Sequence, residues 1–212
     1  MKVPLLEPFE GDVAAALAAL QAELDADPEL AASGVAAAGT ARILGRWGGG
    51  AEGPAAEGPP IVFVAENLKL EAAASGRVLV PDAAALFDKA LEAMKLPAGA
   101  AWLTHAVPYA KPGDARLAAA DLERGTRYLH AQLRVLRPAV IVALGARATT
   151  ALTGLTGIVK LRGKWLAFSG FDPPTPVMPT FHPSYVLKSY TRDNRQKSWD
   201  DLQAARAKWA DA

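Results

Sequence analysis

The chain has no cysteine. That excludes disulfides, a thiol nucleophile, thiolate-held zinc and an ordinary iron–sulfur cluster. Histidine is nearly as scarce: there are three, His105, His130 and His182, and their spacing indicates no metal site. No apolar run reaches the ~20 residues needed to cross a bilayer, so no membrane partner is expected. The opening Met1-Lys2-Val3-Pro4 lacks the plan of a signal peptide, which points to a cytoplasmic protein. A phosphate loop is missing too. Gly48-Gly49-Gly50 follows no strand, and no Gly-Lys-Ser/Thr comes after it. Net charge is only +1 over 212 residues, which by itself implies no nucleic acid.

The distribution of that charge says more. Val159 to Ala212 holds nine Lys/Arg and five Asp/Glu, a net +4, which leaves about −3 for the remainder. A local basic face is what phosphate binding needs, although a solvated mixed-charge helix accounts for many of these residues. Half the residues are hydrophobic, enough for a full core.

Read in order, residues 1–10 look like an arm. A helix from Val13 to Leu24 follows, and Gly45 to Pro60 reads as a Gly/Pro-rich linker. Residues 1–60 are thus expected as a helical arm and linker, and 61–212 as the main α/β domain. Apolar runs at Ile61–Ala65, Ala101–Thr104 and Val140–Leu144 suit strands buried on both faces. Trp165–Phe168 and Val177–Thr180 are the last strands. Helices are expected at 82–94, 117–136, 146–152 and 196–208 between and after them. Strands alternating with helices predict a parallel sheet in a three-layer α/β/α sandwich.

In such sheets ligands bind beyond the C-terminal strand ends. Glu66, His105, Gly145 and His182 each follow a predicted strand directly. The architecture therefore gathers residues from distant parts of the sequence on one edge. Around His182 the chain runs Pro179-Thr180-Phe181-His182-Pro183-Ser184-Tyr185-Val186-Leu187-Lys188. The proline stiffens the backbone after the imidazole, which is expected on a rigid loop. An imidazole, apolar bulk and following cations suit a polyanion with something apolar to pry apart. Glu66 also has an ordinary use as a helix N-cap acceptor, Asn67 as a turn residue and Tyr109 as a loop anchor.

Four segments in one order resemble the uracil-DNA glycosylase superfamily, and in particular its iron–sulfur branch. They are Leu103-Thr104-His105, Pro138 to Ala146, Arg162-Gly163-Lys164-Trp165 and Phe181 to Leu187. The resemblance implies a central four-stranded parallel sheet and a monofunctional DNA glycosylase. Such an enzyme flips a modified or deaminated base and hydrolyses its bond to deoxyribose, with DNA as the partner. It implies Glu66 and His182 as catalytic. It places Asn67, Leu79, His105 and Tyr109 against the base, and Arg162, Lys164, Ser184, Tyr185, Leu187 and Lys188 against DNA. The chain departs from the family in four ways. Only the carboxylate of the first strand-end loop is kept, in Ala65-Glu66-Asn67. Leu79 stands for a stacking aromatic, and His105 for a base-reading asparagine. Tyr109 and a position near Thr126 stand where cluster cysteines would lie, so no iron–sulfur cluster is expected. The departures favour an enlarged modified pyrimidine, as in phage genomes, and a role in defence. Uracil excision in repair and a DNA-binding protein without catalysis are the alternatives.

Overall fold

The computed structural model of the chain describes residues 5–7, 9–35, 41–55 and 58–212. A six-stranded sheet runs in the order β1-β3-β2-β4-β6-β5. Its strands are β1 (Gly45–Trp47), β2 (Ile61–Asn67), β3 (Ala101–Val107), β4 (Val140–Leu144), β5 (Leu166–Phe168) and β6 (Thr175–Thr180). The inner four, β3-β2-β4-β6, are parallel; β1 and β5 are antiparallel edges. The expected parallel sheet is present, with an added strand at each side.

Residues Ile61 to Ala65 are fully buried because the sheet is covered on both faces. Val62 and Val64 pack toward α1 (Val13–Ala26), α2 (Pro28–Ala32), α5 (Ala119–Leu136) and α6 (Ala146–Thr153). Ile61, Phe63 and Ala65 pack toward α4 (Pro81–Met94) and α9 (Arg192–Ala210). Two cores on opposite faces of one sheet make the three layers. Three short helices complete the set: α3 (Leu70–Ala74), α7 (Ile158–Leu161) and α8 (Pro183–Lys188).

Three expectations change. Gly45–Trp47, read as linker, is strand β1. Tertiary packing decides this: Trp47 meets Trp102 edge to face at 4.9 Å, and a Cβ on Gly45 would lie 2.5 Å from the Trp102 ring. Only glycine lets that indole lie across the edge strand. The arm is likewise tied down, since the Leu6 N–H donates to the Gly170 carbonyl at 2.7 Å and Leu6 and Phe9 pack on the core. Residues 1–4 and 8 of that arm, and 56–57 of the expected linker, lie outside the described residues. Third, the expected rigid loop after His182 is a helix, α8, with Pro183 in its first turn. Proline is tolerated there because the first N–H groups of a helix have no intrahelical acceptor.

Among the described residues no helix is long and apolar enough to cross a membrane.

Candidate functional site

Four parallel strands end at the same edge. Leu144 of β4 pairs with Thr180 of β6, and Asn67 of β2 with Val107 of β3. Glu66 and His105, expected just after their strands, lie within the last residues of β2 and β3, because the ladder runs on to Asn67 and Val107. The residues at and just beyond those ends are therefore neighbours. Gly145 marks the centre. Its N–H donates to the Thr180 carbonyl at 2.9 Å. A Cβ built on it would meet Glu66 Oε1 at 2.7 Å and the His182 Cβ at 3.1 Å. The early carboxylate and the late imidazole thus converge on one point. At φ +97° a side chain there would be strained as well as crowded.

Glu66 holds the start of α6: its Oε1 accepts from the Arg147 backbone N–H at 3.1 Å. This is the N-cap use anticipated from the sequence. No protein donor reaches Oε2 among the described residues, so one oxygen is left for water or ligand. Arg147 also donates from Nη1 to Asn67 Oδ1 at 2.7 Å, and Asn67 Nδ2 donates to the Leu68 carbonyl at 3.1 Å. From the sequence alone Arg147 could face either phosphate or solvent. Its position two residues past a strand-end glycine was the available signal, because that is where a first-turn N–H meets a strand-end carboxylate.

His182 caps α8: its Nδ1 accepts from the Ser184 backbone N–H at 3.1 Å. That bond assigns the tautomer, with the proton on Nε2 as a donor. Burial holds the imidazole below the usual histidine value, and the Glu66 carboxylate partly offsets this. The ring is thus a neutral hydrogen-bond donor near neutral pH. His105 is buried on the face of Leu79 and Ala65. Burial, opposed by a hydrogen bond to the Val78 carbonyl and reinforced by His182, pushes it down to about 3.

The other anticipated residues divide. Leu79 is buried and packs in the core against α4. Tyr109 is not at this edge: it is fully buried in the opposite core, and its hydroxyl donates to the Asp121 carbonyl at 3.0 Å. Arg162 donates from Nε to Asp201 Oδ2 at 2.9 Å and pairs again through Nη2, which also donates to the Lys197 carbonyl. Its guanidinium lies over the Phe181 ring. It ties α9 to the His182 segment. Asp201, which sequence reasoning did not single out, also accepts from Thr180 Oγ1 at 2.7 Å. Burial raises the Asp201 carboxyl, opposed by Arg162 and Thr180. Lys164 and Lys188 are exposed, Ser184 and Leu187 half-buried. Tyr185 is 43% exposed, its ring 4.8 Å from that of Phe181.

A mainly apolar cavity of about 670 Å³ lies behind the His182 segment, between α4, α8 and α9. Phe87, Leu144, Phe181, Val186 and Trp199 line it, while Glu66, Asn67 and His105 do not. The chemistry lies at the strand ends and not in this cavity.

The residues do not fit a thiolate-held cluster. The chain has no cysteine, Tyr109 is engaged with Asp121, and Thr126 donates to the Leu122 carbonyl. Among the described residues no His, Cys, Asp or Glu cluster has metal-binding geometry.

A family model of the uracil DNA glycosylase superfamily matches residues 53–203. Among curated proteins, the type-4 uracil-DNA glycosylase of Thermotoga maritima is 29% identical over 149 residues, 69% of this chain and 76% of that protein.

Proposed function

Because the chain belongs to the uracil DNA glycosylase superfamily, we propose that it is a monofunctional DNA glycosylase. It extrudes a modified or deaminated base and hydrolyses the N-glycosidic bond, leaving an abasic site. One observation carries the reading: Glu66 Oε1 and the His182 side chain both crowd the space beside Gly145. A base must leave the stack before its glycosidic bond can be reached. As that bond breaks, its electron pair goes to the base. His182 Nε2–H donates to the base oxygen on which negative charge gathers, the service a preorganised donor performs best. The free Glu66 oxygen faces the positive charge developing on the sugar. It also orients the water that adds to C1′ and takes up that water's proton.

Outside the pocket, exposed Tyr185 and half-buried Leu187 on α8 fill the gap in the duplex, as apolar wedges do. Lys164, Lys188 and the backbone around Ser184 meet phosphates. The Arg162 guanidinium positions the segment rather than the DNA. The activity requires no iron–sulfur cluster.

For the base itself, leucine at position 79 and histidine at 105 support an enlarged modified pyrimidine, with a defensive role against phage DNA, over uracil in repair. A second reading has its own observation. Glu66 caps α6, which suffices as a structural role, and the chain would then bind DNA without excision.

The test uses oligonucleotides, single- and double-stranded, bearing uracil or modified cytosines, followed by alkali. The proposal expects abasic sites, with loss of about 100-fold or more in His182→Ala and Glu66→Gln. Intact DNA binding with no abasic site on any substrate supports the second reading.

A further inference from the structure

The cavity behind the His182 segment takes no part in the strand-end chemistry. Its walls come from α4, α8 and α9 and from the ends of β4 and β6, and they are mainly apolar. Its volume of about 670 Å³ falls within the roughly 300–1,000 Å³ of pockets that enclose a small ligand. The charge on its lining is of one sign. Lys89 of α4 and Arg192 and Arg195 of α9 line it, and no Asp or Glu does. All three cations are exposed, so they stand where the cavity meets solvent.

None of these cations forms an ion pair among the described residues. The carboxylates near them on α9 are engaged: Asp193 pairs with Lys197, and Asp200 accepts from Gln196. The Arg195 guanidinium lies over the Tyr190 ring instead, 4.8 Å from its centre, and that ring is 62% exposed. Like charges gathered at one opening repel one another, and an anion placed among them relieves that repulsion.

We propose that this cavity is a binding site for a small amphiphilic anion: an aromatic or aliphatic body with one carboxylate, sulfonate or phosphate at its end. The body leaves water against apolar walls such as Phe87 and Trp199. The anionic end stays at the mouth, where two guanidinium groups suit its oxygens. A fully polar anion leaves the walls uncovered, and a neutral apolar body leaves the cations unanswered.

The site shares a wall with the glycosylase site but not its space. Phe181 and Pro183 line the cavity, whereas His182 between them does not. The His182 Cβ lies beside Gly145 instead. The segment is thus a partition, and the anion does not take the place of the base.

The test titrates the full chain with two fluorescent dyes that share one aromatic body. They are 1-anilinonaphthalene-8-sulfonate and the neutral N-phenyl-1-naphthylamine. The sulfonate should bind saturably, one per chain, and more tightly than the neutral dye. Arg192→Gln combined with Arg195→Gln should weaken the sulfonate by about tenfold and leave the neutral dye unchanged. Ala90, half-buried in the cavity wall, offers a second variant: Ala90→Trp fills the space and should abolish binding of both dyes. If Ala90→Trp does not melt cooperatively, the arginine pair and the two dyes decide. Glu66→Gln and His182→Ala should bind the sulfonate as the unaltered protein does. Equal affinity for the two dyes, no response to the arginines, or binding that survives a folded Ala90→Trp overturns the proposal. So does binding lost with His182→Ala, which would put the dye at the strand ends. None of these readouts uses base excision, so the glycosylase reading stands or falls separately.

Discussion

At the scale of single residues, the site depends on a missing side chain. Gly145 has room for a hydrogen and nothing larger, with Glu66 on one side and His182 on the other. Gly145→Ala should cut excision by about 100-fold, as displacing either group would. Its cost in stability should be about 1–3 kcal/mol, from strain at a positive φ. Single-turnover rates and denaturant melts on the same preparation separate the two effects; unchanged excision would remove Gly145 from the site. Protonation gives a second test. The folded protein holds His182 below its ordinary value through burial, and protonation at Nδ1 would remove the acceptor that the Ser184 N–H uses to set the ring. Excision should therefore stay level from alkaline to neutral pH and decline only below about 6.5. A rate–pH profile with an acid midpoint above that value would contradict the downward shift by burial. That Glu66, His105 and His182 lie near the C-terminal ends of strands could be read from the sequence, because each follows an apolar run; that β2 and β3 run on past Glu66 and His105 could not. The use of Arg147 could not. It depends on Asn67 lying across from it, 80 residues away in the chain.

At the scale of elements, two polar ties fasten segments that follow the parallel strands. One is Arg162 with Asp201 and Thr180, joining α9 to the end of β6. Asp201→Ala leaves a mostly buried guanidinium without its carboxylate and should cost about 3–5 kcal/mol. Replacing both partners, Arg162→Met with Asp201→Leu, should cost much less, because a buried pair roughly repays its own desolvation. Urea melts of the single and double variants decide it; a double variant as unstable as the single one would show that the tie does more than pair charges. The other tie is Tyr109 with Asp121, which also accepts from the Ala118 N–H and from Lys111 Nζ. It anchors the segment after β3 to the start of α5. Burial, with Asp121 beside it, pushes the Tyr109 phenol up to about 12, so it remains a donor. Tyr109→Phe should cost about 1–3 kcal/mol, and the unaltered protein's melting should be indifferent to an iron chelator. A chelator-sensitive melt would show a metal in the fold. The sequence identified Tyr109 as unusual but not its direction. An aromatic after a strand looks the same whether it faces a ligand or a core. Helix α8 is hidden in the sequence for a related reason: a proline that cannot sit inside a helix can still begin one.

For the whole molecule, the three histidines act in the same sense. His105, His130 and His182 are all held below their ordinary value, with burial as the first cause. The folded protein binds their protons less readily than the unfolded chain does. Their contribution is complete above the unfolded value of about 6.5 and is lost as pH falls from there toward the folded values. Each proton taken up on unfolding steepens the loss by roughly 1.4 kcal/mol per pH unit. Stability from urea melts should be flat between pH 7 and 8 and fall between pH 6.5 and 5. His105→Asn should make that fall shallower. A flat profile down to pH 5 would mean that the rings are not buried as described.

What the sequence by itself determined is the layered frame. Five-residue apolar runs such as Ile61–Ala65 and Val140–Leu144 demand burial on both faces, and amphipathic segments between them supply the cover. These are short-range properties of the chain, and they put Glu66, Gly145 and His182 near the C-terminal strand ends before any coordinates. Only the tertiary structure decided what those residues touch. Gly145 separates a carboxylate and an imidazole more than a hundred residues apart in the chain. Ser184 sets which nitrogen of His182 carries the proton, and burial leaves Nδ1 of His105 without a partner. Such contacts depend on directions of hydrogen bonds between distant segments, which hydrophobic periodicity does not encode.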